Sequence, residues 1–287
     1  MNRRPTILTD ARGRRLEAVA HDRVVSLVPS LTETVCALGA RDRLVGRTIY
    51  CAEPRETLAT VPACGGTKNP DLDALLALKP DLALACVEEN KPEHLERLEQ
   101  AGVPVFAVMP RSLDDVSALL SNLGALLGAQ SAAGRALSDL TAARLAAGPW
   151  RARLGEPRRA ACLIWKKPWM AAGGGNHITA MMQEVGLTNV LAAREGYFAI
   201  ELEELAALKP EVVLLPDEPY PFTHHAAWSL AAAGVVVSRR RAVLLDGKLV
   251  CWYGTRTARA LRDLMRVLEP RLLSGPDSTA APRSDTR

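Results

Sequence analysis

The chain has 287 residues, 48% of them apolar and 24% charged, an ordinary globular composition that excludes a disordered or collagen-like protein. That length is too great for one small core and predicts two lobes. The 36 basic and 32 acidic residues leave a net charge of +4, spread along the chain, which makes no case for a nucleic-acid partner.

From Met1 to Ser30 the sequence is charged and broken by Pro5 and Gly13, with no apolar stretch of the kind a secretory signal needs. No later run approaches the roughly 18 apolar residues that span a bilayer. Arg23 to Val28 is a short apolar run closed by Pro29, which predicts a buried strand. Ser30 offers a cap to a helix over Leu31 to Leu38, and Gly39 stops it. A helix over Leu72 to Leu78, the break Lys79-Pro80 and a strand over Asp81 to Cys86 follow. A helix near Glu93 to Gln100 and a strand over Val103 to Val108 complete an alternation that predicts a parallel α/β sheet with crossover helices.

Leu113 to Leu154 has a different texture, with Ala and Leu at helical spacing. Gly128 and Gly134 interrupt it early, and Gly148-Pro149 predicts a kink or stop near its end. Its middle, about Gln130 to Ala147, reads as one long helix linking two lobes. The α/β alternation then returns: a strand over Arg159 to Trp165, a helix over Ile178 to Val185 and a helix over Leu202 to Leu208. Strands over Glu211 to Leu215 and Ala242 to Asp246, and a closing helix over Thr257 to Leu268, complete it. Leu75-Leu-Ala-Leu-Lys-Pro-Asp81 is echoed by Leu205-Ala-Ala-Leu-Lys-Pro-Glu211, which points to two related lobes. The expected division is an N-terminal α/β lobe over residues 1–128, a linking helix over 129–155, a C-terminal α/β lobe over 156–272 and a disordered tail over 273–287.

Nine of the twelve aromatic residues fall between Trp165 and Tyr253, mostly at predicted strand ends and loops, the usual lining of a ligand cleft. Trp165, at a strand end, serves either that cleft or the core, whereas Trp169 follows Lys166-Lys-Pro168 in a turn. Asp217, Glu218 and Tyr220 follow a strand, where open α/β sheets place their ligands, and Glu88-Glu89-Asn90 holds the equivalent place in the first lobe. The alternative for the acids is a helix N-terminus favoured by its dipole. Lys68 and Arg256 are candidates to pair with these acids or with a ligand anion. Gly173-Gly-Gly-Asn-His177 reads as a tight turn capped near Asn176 rather than an anion cradle. His224-His225 side chains diverge on a helix and suit one metal poorly. The six cysteines show no C-x-x-C pair and read as buried reduced thiols. No G-x-S-x-G, H-E-x-x-H or P-loop pattern supports an enzyme.

Val24-Val-Ser-Leu-Val-Pro-Ser-Leu-Thr-Glu33, Gly65-Gly-Thr-Lys-Asn-Pro-Asp71 and Leu78-Lys-Pro-Asp-Leu82 resemble the ABC-transporter substrate-binding family for vitamin B12 and iron–siderophores. Leu215-Pro-Asp-Glu-Pro-Tyr-Pro-Phe222 and Asp246-Gly-Lys-Leu-Val-Cys-Trp-Tyr-Gly254 extend the resemblance, which spans about residues 6 to 270 and includes a first hairpin over Leu8 to Val19. It implies two Rossmann-like lobes joined by one rigid backbone helix, a corrinoid such as cobalamin or another metal chelate in the cleft, no catalysis and no cofactor. Iron–siderophore or haem binding is the alternative on the same scaffold. It implies a monomer that delivers ligand to a dimeric membrane permease, a role that requires export. Any export signal would have to precede Met1; otherwise the protein works in the cytosol. Position by position, the resemblance puts Tyr50, Tyr197, Trp252, Tyr253 and Arg256 at the ligand. Cys64, Cys86 and Cys251 fall where other pocket residues stand; with Cys51 they would line one cleft, as a roomier pocket or as a cytosolic thiolate metal site. Asp73 and Glu203 match the acids that dock each lobe onto the permease.

Overall fold

The protein is described here by a computed structural model covering residues 6–273. A hairpin of β1 (Ile7–Thr9) and β2 (Arg15–Glu17) precedes β3 (Val24–Ser26), α1 (Pro29–Ala37) and β4 (Leu44–Arg47). Then come α2 (Leu72–Ala77), β5 (Leu82–Cys86), α3 (Pro92–Gln100) and β6 (Val105–Val108). Two helices, α4 (Leu113–Leu126) and α5 (Gln130–Leu154), lead into β7 (Arg158–Trp165), β8 (Met170–Ala172), α6 (His177–Glu184), β9 (Leu187–Asn189) and β10 (Tyr197–Ala199). The chain closes with α7 (Leu202–Ala207), β11 (Val212–Pro216), α8 (His224–Ala232), β12 (Ala242–Leu245), α9 (Lys248–Cys251) and α10 (Thr257–Leu272).

The strands form two separate α/β sheets. The first has the order β4-β3-β5-β6 and is parallel throughout. In the second, β9, β11 and β12 continue the parallel pattern around β7, but β8 and β10 are antiparallel additions. This departs from the fully parallel expectation. The turn between β7 and β8 is too short for a crossover, so the chain can return only as a hairpin. The sequence reading also lacked β4, β8, β9, β10, α8 and α9, segments too short or too mixed to show a period. From residue 274 on, the expected tail lies outside the described residues.

The sequence echo is structural. In both copies a short helix, α2 or α7, ends in a lysine with positive φ, 50° at Lys79 and 48° at Lys209. In both, an arginine at the start of the neighbouring strand ties that break down. Arg23 donates to the Leu78 and Lys79 carbonyls, and Arg159 to the Leu208 and Lys209 carbonyls. The backbone N–H of each arginine also donates to the acid after the break, Asp81 or Glu211. Strand ends in one sheet therefore have counterparts in the other.

Each sheet has an outer apolar layer, and their inner faces share one continuous core with α1, α4, α5, α6 and α10. Helix α5, at 25 residues about 37 Å long, buries Ala133, Leu140, Ala143, Ala147, Trp150 and Leu154 on one stripe. It lies against α4 and α10. The expected stop at Gly148-Pro149 does not occur. Pro149 removes only the hydrogen bond to the Leu145 carbonyl, on a turn that faces water, so the helix continues. Gly128, at φ +62°, makes the turn that separates α4 from α5, while Gly134 is accommodated within α5.

The two halves also touch directly. Gly254 adopts φ +100°, and a Cβ there would stand 2.1 Å from the Thr34 hydroxyl on α1. Beside it, Arg256 makes a two-pronged ion pair with Glu33 of α1. Lys248 pairs with Glu53 at 3.5 Å.

Candidate functional site

The C-terminal ends of β3, β4, β5, β7 and β11 all open onto one cavity of about 660 Å³ between the two sheets. That is where parallel α/β sheets leave unpaired strand ends and loops free to meet a ligand. The turn after β3 contributes Val28, Pro29 and Ser30, and the loop after β4 contributes Tyr50 and Thr67. Glu88 and Glu89 follow β5. From the second half come Ile164 and Trp165 at the end of β7, His177 and Ile178 at the start of α6, and Tyr197 at the start of β10. Glu218 and Pro219 follow β11, and Cys251, Trp252 and Tyr253 end α9.

Two chemical features dominate this lining. Aromatic faces come from both sides: Tyr50 is 62% exposed and Trp165 40%, whereas Trp252 is only 8% exposed. Tyr220 packs edge-on behind Trp165 at 5.3 Å and holds its orientation. Carboxylates also come from both sides. Glu88 and Glu218 occupy corresponding positions of the internal repeat, one after each central strand. Burial pushes the Glu88 carboxyl up, partly opposed by Arg111 and Lys68. Burial pushes Glu89 up to about 7. It raises Glu218 as well, against the pull of Lys248, and leaves its Oε1 buried with no hydrogen-bond partner. Among the described residues no arginine or lysine lines the cavity.

Of the sequence-predicted residues, Tyr50, Glu88, Glu89, Trp165, Tyr197, Glu218, Trp252 and Tyr253 line the cavity. The others do not. Cys64 packs in the outer core of the first sheet, on the face away from the cavity. Cys86 lies in the shared core, and burial pushes its thiol up to about 12. Cys51 is buried with its sulfur against Thr48. Only Cys251 of the four reaches the cavity, and no group of three metal-ligating side chains assembles among the described residues. The thiolate-cluster expectation is therefore corrected: Cys51 and Cys64 lie in the segment after β4, Cys86 in β5 and Cys251 in α9, and these elements pack their sulfurs into different layers.

Trp169 stacks on Phe222, with rings 9° from parallel, in the outer layer of the second sheet. Tyr220 supports from behind. Asp217 points away and accepts the Gly247 N–H at 2.8 Å, so it shapes the loop that carries Trp252. Lys68 donates to the Glu88 carbonyl at 2.7 Å and braces that loop from outside. Arg256 is committed to Glu33 and joins the two halves rather than reaching a ligand. His224 and His225 begin α8, away from the cavity; His224 lines a separate groove with Trp228 and Arg239.

His177 and Ser30 are cavity residues that the sequence reading passed over. The Gly173–Asn176 turn is as expected: Asn176 caps α6 by accepting the Thr179 N–H. The signal for His177 was its place directly after that cap, at the mouth end of the second sheet.

A family model described as periplasmic binding protein matches residues 24–218. The vitamin B12-binding protein of Yersinia pestis (strain Pestoides F) is 27% identical over 203 residues, covering 70% of this chain and 71% of its own. A periplasmic haem-binding protein from Pseudomonas aeruginosa is similar in structure, with TM-score 0.74, 27% identity, and coverage of 90% of this chain and 94% of its own. The periplasmic vitamin B12-binding protein of Vibrio cholerae shares the fold, with TM-score 0.73, 22% identity, and coverage of 87% and 97%. A model match over more than half of the sequence, on two α/β sheets joined by one long helix around a strand-end cavity, settles the family: this chain belongs to the periplasmic binding proteins.

Proposed function

We propose that this protein is the substrate-binding component of an ABC importer and that it carries a corrinoid, of the cobalamin class, in the cavity between its two sheets. The observation that carries the choice is the charge of the lining. Glu88, Glu89 and Glu218 face a cavity that, among the described residues, no arginine or lysine lines. A corrin ring bears peripheral amides, whose N–H groups donate to carboxylates and whose carbonyls accept from protonated carboxyls. Haem bears propionates, which such a lining repels and an arginine-lined site would favour. The aromatic faces of Tyr50, Trp165, Tyr197 and Trp252 suit the apolar faces of a large flat ligand at low entropic cost.

Delivery to a dimeric permease is part of the same reading. Asp73 and Glu203 both lie exposed in first helical turns, of α2 and α7, at equivalent positions of the internal repeat. Two acids so placed suit a pair of basic pockets on a twofold-symmetric partner, where they would set the capture rate and its salt dependence.

The test is retention of ligand through gel filtration, with hydroxocobalamin and haemin offered separately. Retained corrin absorbance near one equivalent supports the proposal. Retention of haemin alone moves the reading to haem, and retention of neither rejects it.

A further inference from the structure

We propose that the groove beside α8 is a docking surface for an anionic lipid bilayer, placed so that the cavity between the sheets stays open while the protein is held at the membrane. The inference is independent of which ligand the cavity carries.

The groove has a volume of about 560 Å³ and lies between α8, β12, which ends the second sheet, and the last turn of α10. Arg239 and Arg240 enter it from one tight helical turn over Arg239–Arg241, and Arg271 enters from α10. Among the described residues no acid lines the groove, and these arginines and Arg241 join no ion pair. Arg259, Arg262 and Arg266, earlier on α10, are by contrast all paired with aspartates. The positive charge at the groove is therefore left uncompensated. Arg239 stacks its guanidinium over the Trp228 ring at 4.5 Å. A guanidinium packed on a ring keeps its in-plane N–H groups outward, ready to donate in pairs to phosphate oxygens. Arg271 reaches the Arg240 carbonyl and draws the end of α10 to the same turn.

Apolar side chains stand in water beside this charge. Trp228 is 55% exposed. Val237, two residues before the arginines, is 93% exposed, the most exposed large apolar side chain among the described residues. Charge alone would suit any soluble anion, and arginines flanking an edge strand can serve simply to keep other strands away. Neither role calls for a tryptophan and a valine in water next to them. An anionic bilayer answers both features: its phosphates meet the arginines, and its interface accepts an indole ring and an aliphatic side chain. A second copy of this chain would bring like charges together across a twofold axis. The arginine turn precedes β12 and sits at the N-terminal end of that strand, whereas the cavity opens at C-terminal strand ends. Bilayer contact therefore leaves the cavity facing water.

Flotation with lipid vesicles tests this. Wild-type protein should float with phosphatidylcholine vesicles containing about 30% phosphatidylglycerol and bind pure phosphatidylcholine at least about tenfold more weakly. Sodium chloride at about 0.5 M should release it by screening. Arg239→Glu combined with Arg240→Glu should weaken binding at least about tenfold. The same charge change at Arg14 and Arg15, exposed on the first hairpin, should leave binding within about twofold. An equal loss from both pairs would reduce the effect to net charge and overturn the site. Phosphatidylglycerol brominated on its acyl chains should quench wild-type emission, and Trp228→Phe should lose most of that quenching while still floating. Should the arginine variant not fold, the wild type and Trp228→Phe still decide. Absence of flotation, flotation indifferent to phosphatidylglycerol, or quenching unchanged in Trp228→Phe would overturn the proposal. Capture of a single-stranded oligonucleotide in place of vesicles would also overturn it and give the groove to nucleic acid.

Discussion

At Glu89 the folded protein holds a proton that the unfolded chain has given up. Its carboxyl titrates near 7 in place of the ordinary 4.5 because the cavity floor strips water from the charged form. The resulting contribution to stability is complete below pH 4.5 and is lost as pH rises through about 7. It is on the order of 3 kcal/mol for a shift of this size. His177 works in the opposite direction. Its folded pKa of about 4 lies below the ordinary 6.5, so its contribution is present above pH 6.5 and is lost as pH falls toward 4. Glu89→Gln should therefore abolish most of the decline in urea midpoint between pH 5 and 8. A decline of unaltered slope in that variant would mean that Glu89 is charged throughout. Among the rings, Trp252 is almost fully buried and Tyr50 is largely exposed. Tyr50→Ala should weaken hydroxocobalamin binding by about 2–3 kcal/mol and Trp252→Ala by about 1 kcal/mol or less, following the apolar area each ring leaves for the ligand to cover. Isothermal titration of both variants checks that order, and equal losses would contradict it.

The helix–lysine–strand units show how much local sequence specifies on its own. Leu-Lys-Pro ends each short helix, and the proline forbids its continuation. What the local sequence does not announce is the arginine that binds each break, because Arg23 and Arg159 lie more than fifty residues upstream of Asp81 and Glu211. On the outer side of these same units, Asp73 pairs with Arg97 at 2.6 Å, an exposed ion pair of small worth, and Glu203 is simply exposed. An Asp73→Ala, Glu203→Ala double variant should therefore fold within about 1 kcal/mol of wild type. It should bind ligand normally and fail to support uptake through the cognate permease. Uptake at the wild-type rate would remove the docking role and leave these acids as helix N-terminal charges.

For the molecule as a whole, three connections oppose a wide hinge: α5 packed into the shared core, the Glu33–Arg256 ion pair, and the Thr34–Gly254 contact. Small-angle scattering should show little change in radius of gyration when ligand saturates the wild type. Glu33→Ala combined with Arg256→Ala should increase that change. A large closure in the wild type would mean that these connections yield on binding.

Much of this was legible from sequence, and for a definite reason. The alternation of apolar runs with helical periods, broken by Gly and Pro, depends on neighbours within one element, so the α/β architecture, the long helix and the repeat all emerged from it. The strand-end acids and aromatics did too, because a parallel sheet sends its C-terminal loops to one place whatever the sequence details. Three outcomes depended on contacts between distant segments. Arg256 turned from a ligand arm into a bridge because Glu33 meets it across more than two hundred residues. Cys64 and Cys86 left the cleft because layer packing drew one into the outer core of the first sheet and the other into the shared core. His177 became a cavity residue because the start of α6 meets the strand ends of both sheets, which no local pattern announces. Local periodicity chooses the elements; only long-range packing decides which side chains remain free for a ligand.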